Sequence, residues 1–360
     1  MELQRLELVA FRNWTEGVFE PSPDGMTAIV GDNGSGKTSL LEAIGWLATL
    51  KSFRGVGTGE LVQHHADQAV LRANLKKETR AFLVEALLPR SGRVKVQMNK
   101  QTVRRARDAD EYLRVSVFTP DDLELIKGGP GMRREYLDDA LSSLDLRHDA
   151  RRTDLERVLR QRNTFLTQSG PRVRTEDLLT LDVWDTKLVE LGTAHAEARL
   201  QLVRNLSPLV QTAYQELTPA DPRVSVHITY DAAWMEDGLA TALDKARDTD
   251  LRRGVTTVGP HRDELVVELA GLPARTQASQ GQQRGLALAL RLAAHRLVGL
   301  EIGSPPLLLL DDVFSELDPT RAEALLHALP AGQTLLTTAG HLPDGADPAR
   351  IVRIVNGAVA

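Results

Sequence analysis

The chain has 360 residues, room for two domains, no cysteine, and 44 basic against 49 acidic residues, a formal charge of −5. These numbers exclude disulfides, thiolate metal sites and a globally basic nucleic-acid binder, so binding of that kind needs a local basic surface. That only 4% of residues are aromatic also argues against a base-stacking platform for single strands. No N-terminal basic-then-apolar segment and no apolar run near the ~20 residues of a spanning helix is present, so a soluble cytoplasmic protein without a membrane is expected.

Leu3 to Phe11 reads as a strand ending in Phe11-Arg12-Asn13-Trp14, and Phe19 and Met26 to Val30 continue a strand-rich start. Ala28 to Val30 is a short apolar run fit for a buried strand. Gly31-Asp32-Asn33-Gly34-Ser35-Gly36-Lys37-Thr38 follows and fits the phosphate-loop pattern G-x-x-x-x-G-K-[ST] at every fixed position. Leu40, Leu41, Ile44 and Leu47 then recur at helical spacing. The loop therefore sits between a strand and a helix, the context its chemistry needs. Its glycines let successive N–H groups converge on one anion, and the helix adds the positive end of its dipole. Lys37 supplies charge for the β- and γ-phosphates of ATP, and the Thr38 hydroxyl, followed by Ser39, is placed to ligate Mg²⁺.

Lys51 to Gly59 is Gly-rich and reads as a loop over the nucleotide side. Ala69–Leu75, Ala81–Leu88 and Arg93–Met98 read as an antiparallel meander with turns at Pro89–Gly92 and Asn99-Lys100, and Val115 to Phe118 as a further strand. From Pro120 to about Leu251 the chain turns helical. Arg147–Leu166 and Leu181–Leu202, separated by Gly170-Pro171, suggest a short antiparallel hairpin arm. His195 lies on the apolar stripe of the second helix, with no carboxylate or second histidine on its face, and is expected to be a packed residue rather than a ligand. Val224 to Tyr230 reads as a strand, Trp234 to Arg247 as a helix, and Gly259-Pro260-His261-Arg262-Asp263-Glu264 opens another strand. Gln280 to Leu300 is a long Ala/Leu helix, Pro319 to Leu329 a shorter one, and Thr334–Thr337 and Ile351–Val355 are strands.

Leu307-Leu308-Leu309-Leu310-Asp311-Asp312 is the second half of a phosphate-loop enzyme: a buried strand with carboxylates at its C-terminal end. Asp311 would hold the Mg²⁺ shell, and Asp312 would orient or deprotonate the attacking water. About 30 residues earlier, Ser279-Gln280-Gly281-Gln282 precedes the Ala/Leu helix. It resembles the S-x-G-Q signature of cassette ATPases, although a serine there is also an ordinary helix cap. Asp318 before Pro319 is a plain N-cap as well as a match to that superfamily's dimer-contact loop.

Together these stretches resemble the RecF family of DNA-repair ATPases. Phe11-Arg12-Asn13 and the phosphate loop, the Pro120–Asp138 segment, Gly259–Asp263 and Leu309–Asp318 carry the resemblance from end to end. It implies an α/β fold: a cassette-type, SMC-like ATPase head over 1–118 plus 255–360, with an antiparallel β subdomain, and an inserted helical lobe over 119–254. It implies that Arg12 and Asn13 lie near the nucleotide, and that the Pro120–Asp138 segment links the core to the lobe. Two copies would close head to tail on ATP, each nucleotide shared between the Lys37 loop of one copy and Ser279, Gly281 and Gln282 of the other. The role implied is recombinational gap repair, loading the RecA recombinase with RecR and RecO on duplex and junction DNA.

Three departures from the cassette pattern stand out. The usual metal-sensing glutamine is absent around Thr119-Pro120, the switch histidine gives way to Thr337-Thr338-Ala339-Gly340 with His341 late, and the catalytic glutamate is replaced by Asp312. The shorter carboxylate is expected to make hydrolysis slow, and a clamp that binds ATP without hydrolysing it stays open. A transporter ATPase subunit would have far fewer than the roughly 240 residues between loop and signature, and a phosphate-loop ligase or kinase would lack the Ser279 motif. For DNA, the candidate basic runs are Arg93, Lys95, Lys100, Arg104, Arg105 and Arg107 on the meander and Arg147, Arg151, Arg152, Arg157, Arg160 and Arg162 on the first arm helix, and binding would be backbone-directed and salt-sensitive.

Overall fold

The computed structural model describes residues 2–103, 113–145, 147–170, 175–219 and 223–360. Arg104, Arg105, Arg107 and Pro171 lie outside these. Along the chain run β1 (Glu2–Phe11), β2 (Trp14–Phe19), β3 (Met26–Val30), α1 (Lys37–Thr49), β4 (Gln68–Lys77), β5 (Arg80–Pro89), β6 (Lys95–Met98), β7 (Gln101–Val103) and β8 (Val115–Phe118). The helical part follows: α2 (Glu124–Lys127), α3 (Pro130–Leu144), α4 (Arg147–Ser169) and α5 (Thr175–Leu217), then β9 (Val226–Asp231), α6 (Leu239–Arg253), β10 (Glu264–Leu269), β11 (Leu272–Pro273), α7 (Ala274–Gln277) and α8 (Gln280–Ile302). The chain closes with β12 (Leu307–Asp311), α9 (Pro319–Ala328), β13 (Thr334–Thr338), β14 (Arg350–Val355) and β15 (Ala358–Val359).

The chain divides into two compact units. The first comprises 1–122, 212–222 and 288–360, the second 123–211 and 223–287. The division expected from sequence differs in three stretches: residues 119–122 and 212–222 fall in the first unit, and residues 255–287 in the second, where β10 pairs with β9 instead of with the head strands.

In the first unit one sheet has the order β2-β1-β4-β5-β6-β7 and is antiparallel throughout its described pairs. The other has the order β15-β14-β3-β13-β12-β8 and is parallel except at the β14–β15 edge. The burial patterns follow from this. β4 alternates buried and exposed residues, as a sheet with one wet face does. β12 and β13 are buried at every position, as strands covered on both faces are. Trp14, Trp46, Phe11 and Phe19 fill the core between them, with leucines from β1, β4 and α1. Gln333 stitches the two sheets: its side chain accepts from Leu3 N–H at 2.8 Å and donates to the Leu3 and Ser22 carbonyls. Asn99 and Lys100, both with positive φ, form the tight turn between β6 and β7.

In the second unit β11-β10-β9 form a small sheet. Buried Arg162 on α4 donates to Asp185 on α5 and to Asp250 on α6 at 2.6 and 2.7 Å. That removes it from the candidate DNA-binding run: spaced four residues from Val158 and seven from Leu155, it falls on the buried stripe of α4 with them. Arg147, Arg151, Arg152 and Arg157 are also ion-paired, leaving Arg160 as the member of that run with no ion pair among the described residues. His195 is packed, 4% exposed, as expected, but it also has polar partners. Asp138 from α3 and His148 from α4 meet it, its Nε2 lying 3.1 Å from the Asp138 carboxylate and its ring stacked 4.9 Å from that of His148. The partners come from other helices, which a single helix's periodicity cannot reveal.

The Pro120–Asp138 segment organises this unit beyond Asp122. Buried Arg133 forks onto Glu264 at 2.7 and 2.8 Å and also donates to the Leu125 and Gly128 carbonyls. Arg199 clasps both oxygens of Asp138.

Candidate functional site

The phosphate loop leaves the C-terminal end of β3 and runs directly into α1. Gly31 is required by close approach: a Cβ there would strike the Ile354 carbonyl oxygen of β14. Gly36 has φ +115°, and a Cβ there would lie 2.8 Å from the Trp14 indole nitrogen. That indole donates to the Gly36 carbonyl at 3.0 Å, Asn13 donates to the Gly34 carbonyl at 3.2 Å, and the Gly357 N–H donates to the Ser35 carbonyl at 2.7 Å. The loop is thus braced by the β1–β2 turn and by the C-terminal hairpin. Trp14 and Gly357 have no motif signature, so the sequence alone does not single them out.

Lys37 is buried and donates to the Gly31 and Asp32 carbonyls at 2.7 and 2.8 Å. Burial pushes its ammonium below the ordinary lysine value, against the raising pull of Asp312, Asp311 and Asp32. Thr38 donates to Asp311 Oδ1 at 2.9 Å, and Thr337 donates to the same oxygen at 2.8 Å. Thr337 also accepts from the Asp312 N–H at 2.9 Å, so one hydroxyl fixes both acidic residues. Burial pushes the Asp311 carboxyl up beyond what the two hydroxyls restore, and Asp312 adds to the rise. A buried carboxylate with hydroxyl partners and a like charge beside it is a group arranged to meet a cation. Asp312 itself sits in the left-handed region, φ +49° and ψ +27°.

These groups open on a cleft of about 710 Å³. Asn33, Gly34, Gly36, Lys37, Thr38, Ser39, Asp312 and Thr337 line it with Arg12, Asn13, Arg54 and His64. Arg12, at φ +52°, forks onto buried Glu42 with two bonds of 2.8 Å. The Arg54 guanidinium comes from the Gly-rich loop expected over this side; nothing in the sequence distinguishes it from its neighbours. Ser35 Oγ is buried in the loop beside Gly31 and has no hydrogen-bond partner among the described residues.

Ser279, Gly281 and Gln282 belong to the second unit. Ser279 is exposed, its N–H donates to Gln282 Oε1 at 2.8 Å, and the Gln282 N–H donates back to Ser279 Oγ at 3.3 Å. This reciprocal pair is a capping box at the start of α8. Asp318 caps α9 by accepting from the Arg321 N–H.

The RecF/RecN/SMC N-terminal domain model matches residues 2–337. The DNA replication and repair protein RecF of Streptomyces avermitilis is 41% identical over 352 residues, 94% of this chain and 93% of that protein. This chain belongs to the RecF family. RecF of Acidothermus cellulolyticus is 38% identical over 96% of the chain and 95% of its own length. A solved structure of the recombination mediator protein RecF with ATP, from the RecFOR pathway, superposes with TM-score 0.89 at 28% identity, covering 100% of this chain and 97% of that one. An SMC head bound to the C-terminal winged-helix domain of ScpA shares the fold at TM-score 0.59 and 17% identity. The chain is therefore an SMC-like member of the RecF ATPase family, with the mixed α/β architecture expected. Among the described residues no helix is long and apolar enough to cross a membrane.

Proposed function

We propose that this RecF-family chain is a cytoplasmic, ATP-driven switch that dimerises on nucleotide and grips DNA during recombinational gap repair. The observation that carries the reading is the Lys37–Thr38–Asp311–Thr337 constellation at the mouth of a positively lined cleft. The first unit would be the ATPase head, and the second the lobe that presents the signature. Lys37, Ser35 and the loop N–H groups would hold the phosphates. Thr38 and Asp311 would hold Mg²⁺, which when bound offsets charge on the β- and γ-phosphates. Asp312, fixed by Thr337, would orient the attacking water and accept its proton. Slow, DNA-stimulated turnover would then reset the switch.

Exposure of Ser279 supports a shared nucleotide, since its hydroxyl and the α8 N-terminus are open to a second copy. Exposed Lys76, Lys77, Arg80, Arg93, Lys95 and Lys100 on the antiparallel sheet make no ion pair among the described residues, which supports phosphate-backbone contact with DNA. A role with RecR and RecO in loading RecA follows from the family and from the pathway in which its structural relative is placed.

Single-turnover ATP hydrolysis with and without gapped DNA, comparing wild type with Lys37→Arg and Asp312→Asn, tests the switch. Both variants should lose turnover, and Asp312→Asn should retain nucleotide binding. Sedimentation tests the sharing: ATP should convert monomer to dimer, and Ser279→Arg should block that. A dimer indifferent to Ser279→Arg overturns the shared-nucleotide reading.

A further inference from the structure

The second unit holds a cavity of about 540 Å³, separate from the phosphate-loop cleft, lined by Gly129, Gly131, Arg134, His195, Arg199 and His261 among others. We propose that it is an oxyanion site that takes a phosphate monoester or free phosphate.

The first observation is the start of α3. Its N-cap is Gly129, which has no side chain to satisfy the first turn; Pro130 brings no N–H and the Met132 N–H turns back to the Gly129 carbonyl at 3.2 Å, which leaves the N–H of Gly131. The helix is 15 residues long, so its dipole is developed. The Arg134 guanidinium folds back over this turn, its Nη2 4.0 Å from where a Cβ of Gly131 would lie. Arg134 donates to the Asp263 carbonyl at 2.9 Å and makes no ion pair among the described residues. Burial and neighbouring Arg199 push it below the ordinary arginine value, so a bound anion would relieve it.

The second observation is His195, 4% exposed and part of the cavity wall. Its Nε2 faces Asp138 at 3.1 Å; a carboxylate only accepts, so Nε2 carries the proton. Nδ1 is left with a lone pair and no partner among the described residues. His261, also in the wall, likewise has an Nδ1 with no partner among them. A ligand that brings its own proton satisfies such an atom. A phosphate monoester does so near neutral pH, with a second pKa near 6, whereas a phosphodiester has no such proton.

Asp138, His148 and His195 also bring ligand atoms within 4.8 Å of one another, a spacing open to a metal ion. The surroundings argue against a cation. Arg199 takes both Asp138 oxygens, and Arg152 stands 3.7 Å away, so two guanidinium groups already occupy the carboxylate. The acids facing the cavity are accounted for similarly: Glu156 bonds Arg152 at 3.1 Å, and Glu135 is exposed at the rim.

The test is a titration of the full chain with inorganic phosphate, followed by long-range ¹H–¹⁵N spectra of the histidine rings, with His195→Gln to assign the signal. Phosphate should shift the His195 resonances in wild type and equally in Lys37→Ala. Arg134→Gln should weaken the effect about tenfold or more, as loss of a charge-assisted bond does, and Arg134→Lys should restore part of it. A 5′-phosphorylated oligonucleotide reproducing the shift, with its dephosphorylated twin inert, assigns the source to nucleic-acid ends; a shift with inorganic phosphate alone assigns it to small molecules. Dimethyl phosphate binding as tightly as inorganic phosphate, zinc producing the shift where phosphate does not, or an unchanged response in Arg134→Gln overturns the proposal.

Discussion

Asp311 and Asp138 are the same residue type at nearly the same burial, 7% and 4% exposed, and their carboxyls are driven in opposite directions. Burial disfavours the charge on both. At Asp138 the nearby His148 ring, 3.5 Å away, and the bonds from His195 and Arg199 outweigh it and hold the carboxyl far below the usual range. At Asp311 two neutral hydroxyls do not, and the carboxyl is held above that range. One acid has its counter-charge bonded to it; the other has Lys37 and Arg54 in its neighbourhood but no ion pair among the described residues. Buried charge completed internally belongs to stability, and buried charge left incomplete belongs to a ligand.

The largest effect expected from this contrast is in stability. Asp138→Asn should cost about 3–5 kcal/mol in urea unfolding, because Arg199 is left buried and uncompensated. Asp311→Asn should leave the stability of the nucleotide-free chain unchanged or raised, while hydrolysis falls beyond the roughly 10–100-fold that loss of an outer partner costs. Equal destabilisation by the two variants would break the comparison.

The pH profiles sharpen it. The folded-state value of Asp138 is depressed, so its contribution is full above the unfolded carboxyl value near 3.9 and is lost as pH falls below it. The deficit of Asp138→Asn should be flat at neutral pH and shrink below about pH 4. The folded-state value of Asp311 is raised, so its contribution is present below the unfolded value and lost as pH rises through the folded one. Any advantage of Asp311→Asn should therefore vanish on acidification, and saturating Mg²⁺ with ATP should reverse its sign. Calorimetry across pH reads both.

Thr337→Val comes next. It removes the hydroxyl that orients Asp311 and receives the Asp312 N–H, so activity or metal affinity should fall about 10–100-fold with the fold intact by circular dichroism. The smallest effects belong to surface charge. Lys95→Gln and Lys100→Gln should each lower the salt slope of DNA binding by about 1, whereas Arg157→Gln, already paired with Asp154, should change it less.

The same contrast explains what was legible in the sequence. The phosphate loop and the Leu307–Asp312 strand are contiguous, and their chemistry lies in fixed spacing, so the head site could be read directly. Val115–Phe118 was placed residue for residue because two valines and a phenylalanine stand between Arg114 and Thr119-Pro120, although it is an edge strand buried fully at Phe118 only. The Asp138 network was not legible: Arg199 lies 61 residues from Asp138, and three helices contribute to it. Arg162 was misassigned because helical spacing marks a face without saying whether that face is wet. Thr337 was among the residues near the expected switch position, but its two hydrogen bonds, to the Asp311 carboxylate and from the Asp312 main-chain N–H, depend on the register of β12 beside β13.

The torsion at residue 312 bears on why a short acid stands where the resemblance leads one to expect glutamate. A left-handed φ of +49° is tolerated best by glycine, asparagine and aspartate, whose compact polar side chains can bond locally. A longer acid would gain reach toward the water but strain the corner at which the strand ends. The main chain at this corner thus favours a short acid, while Glu78 at φ +56° shows that the fold holds a long one in the same region elsewhere.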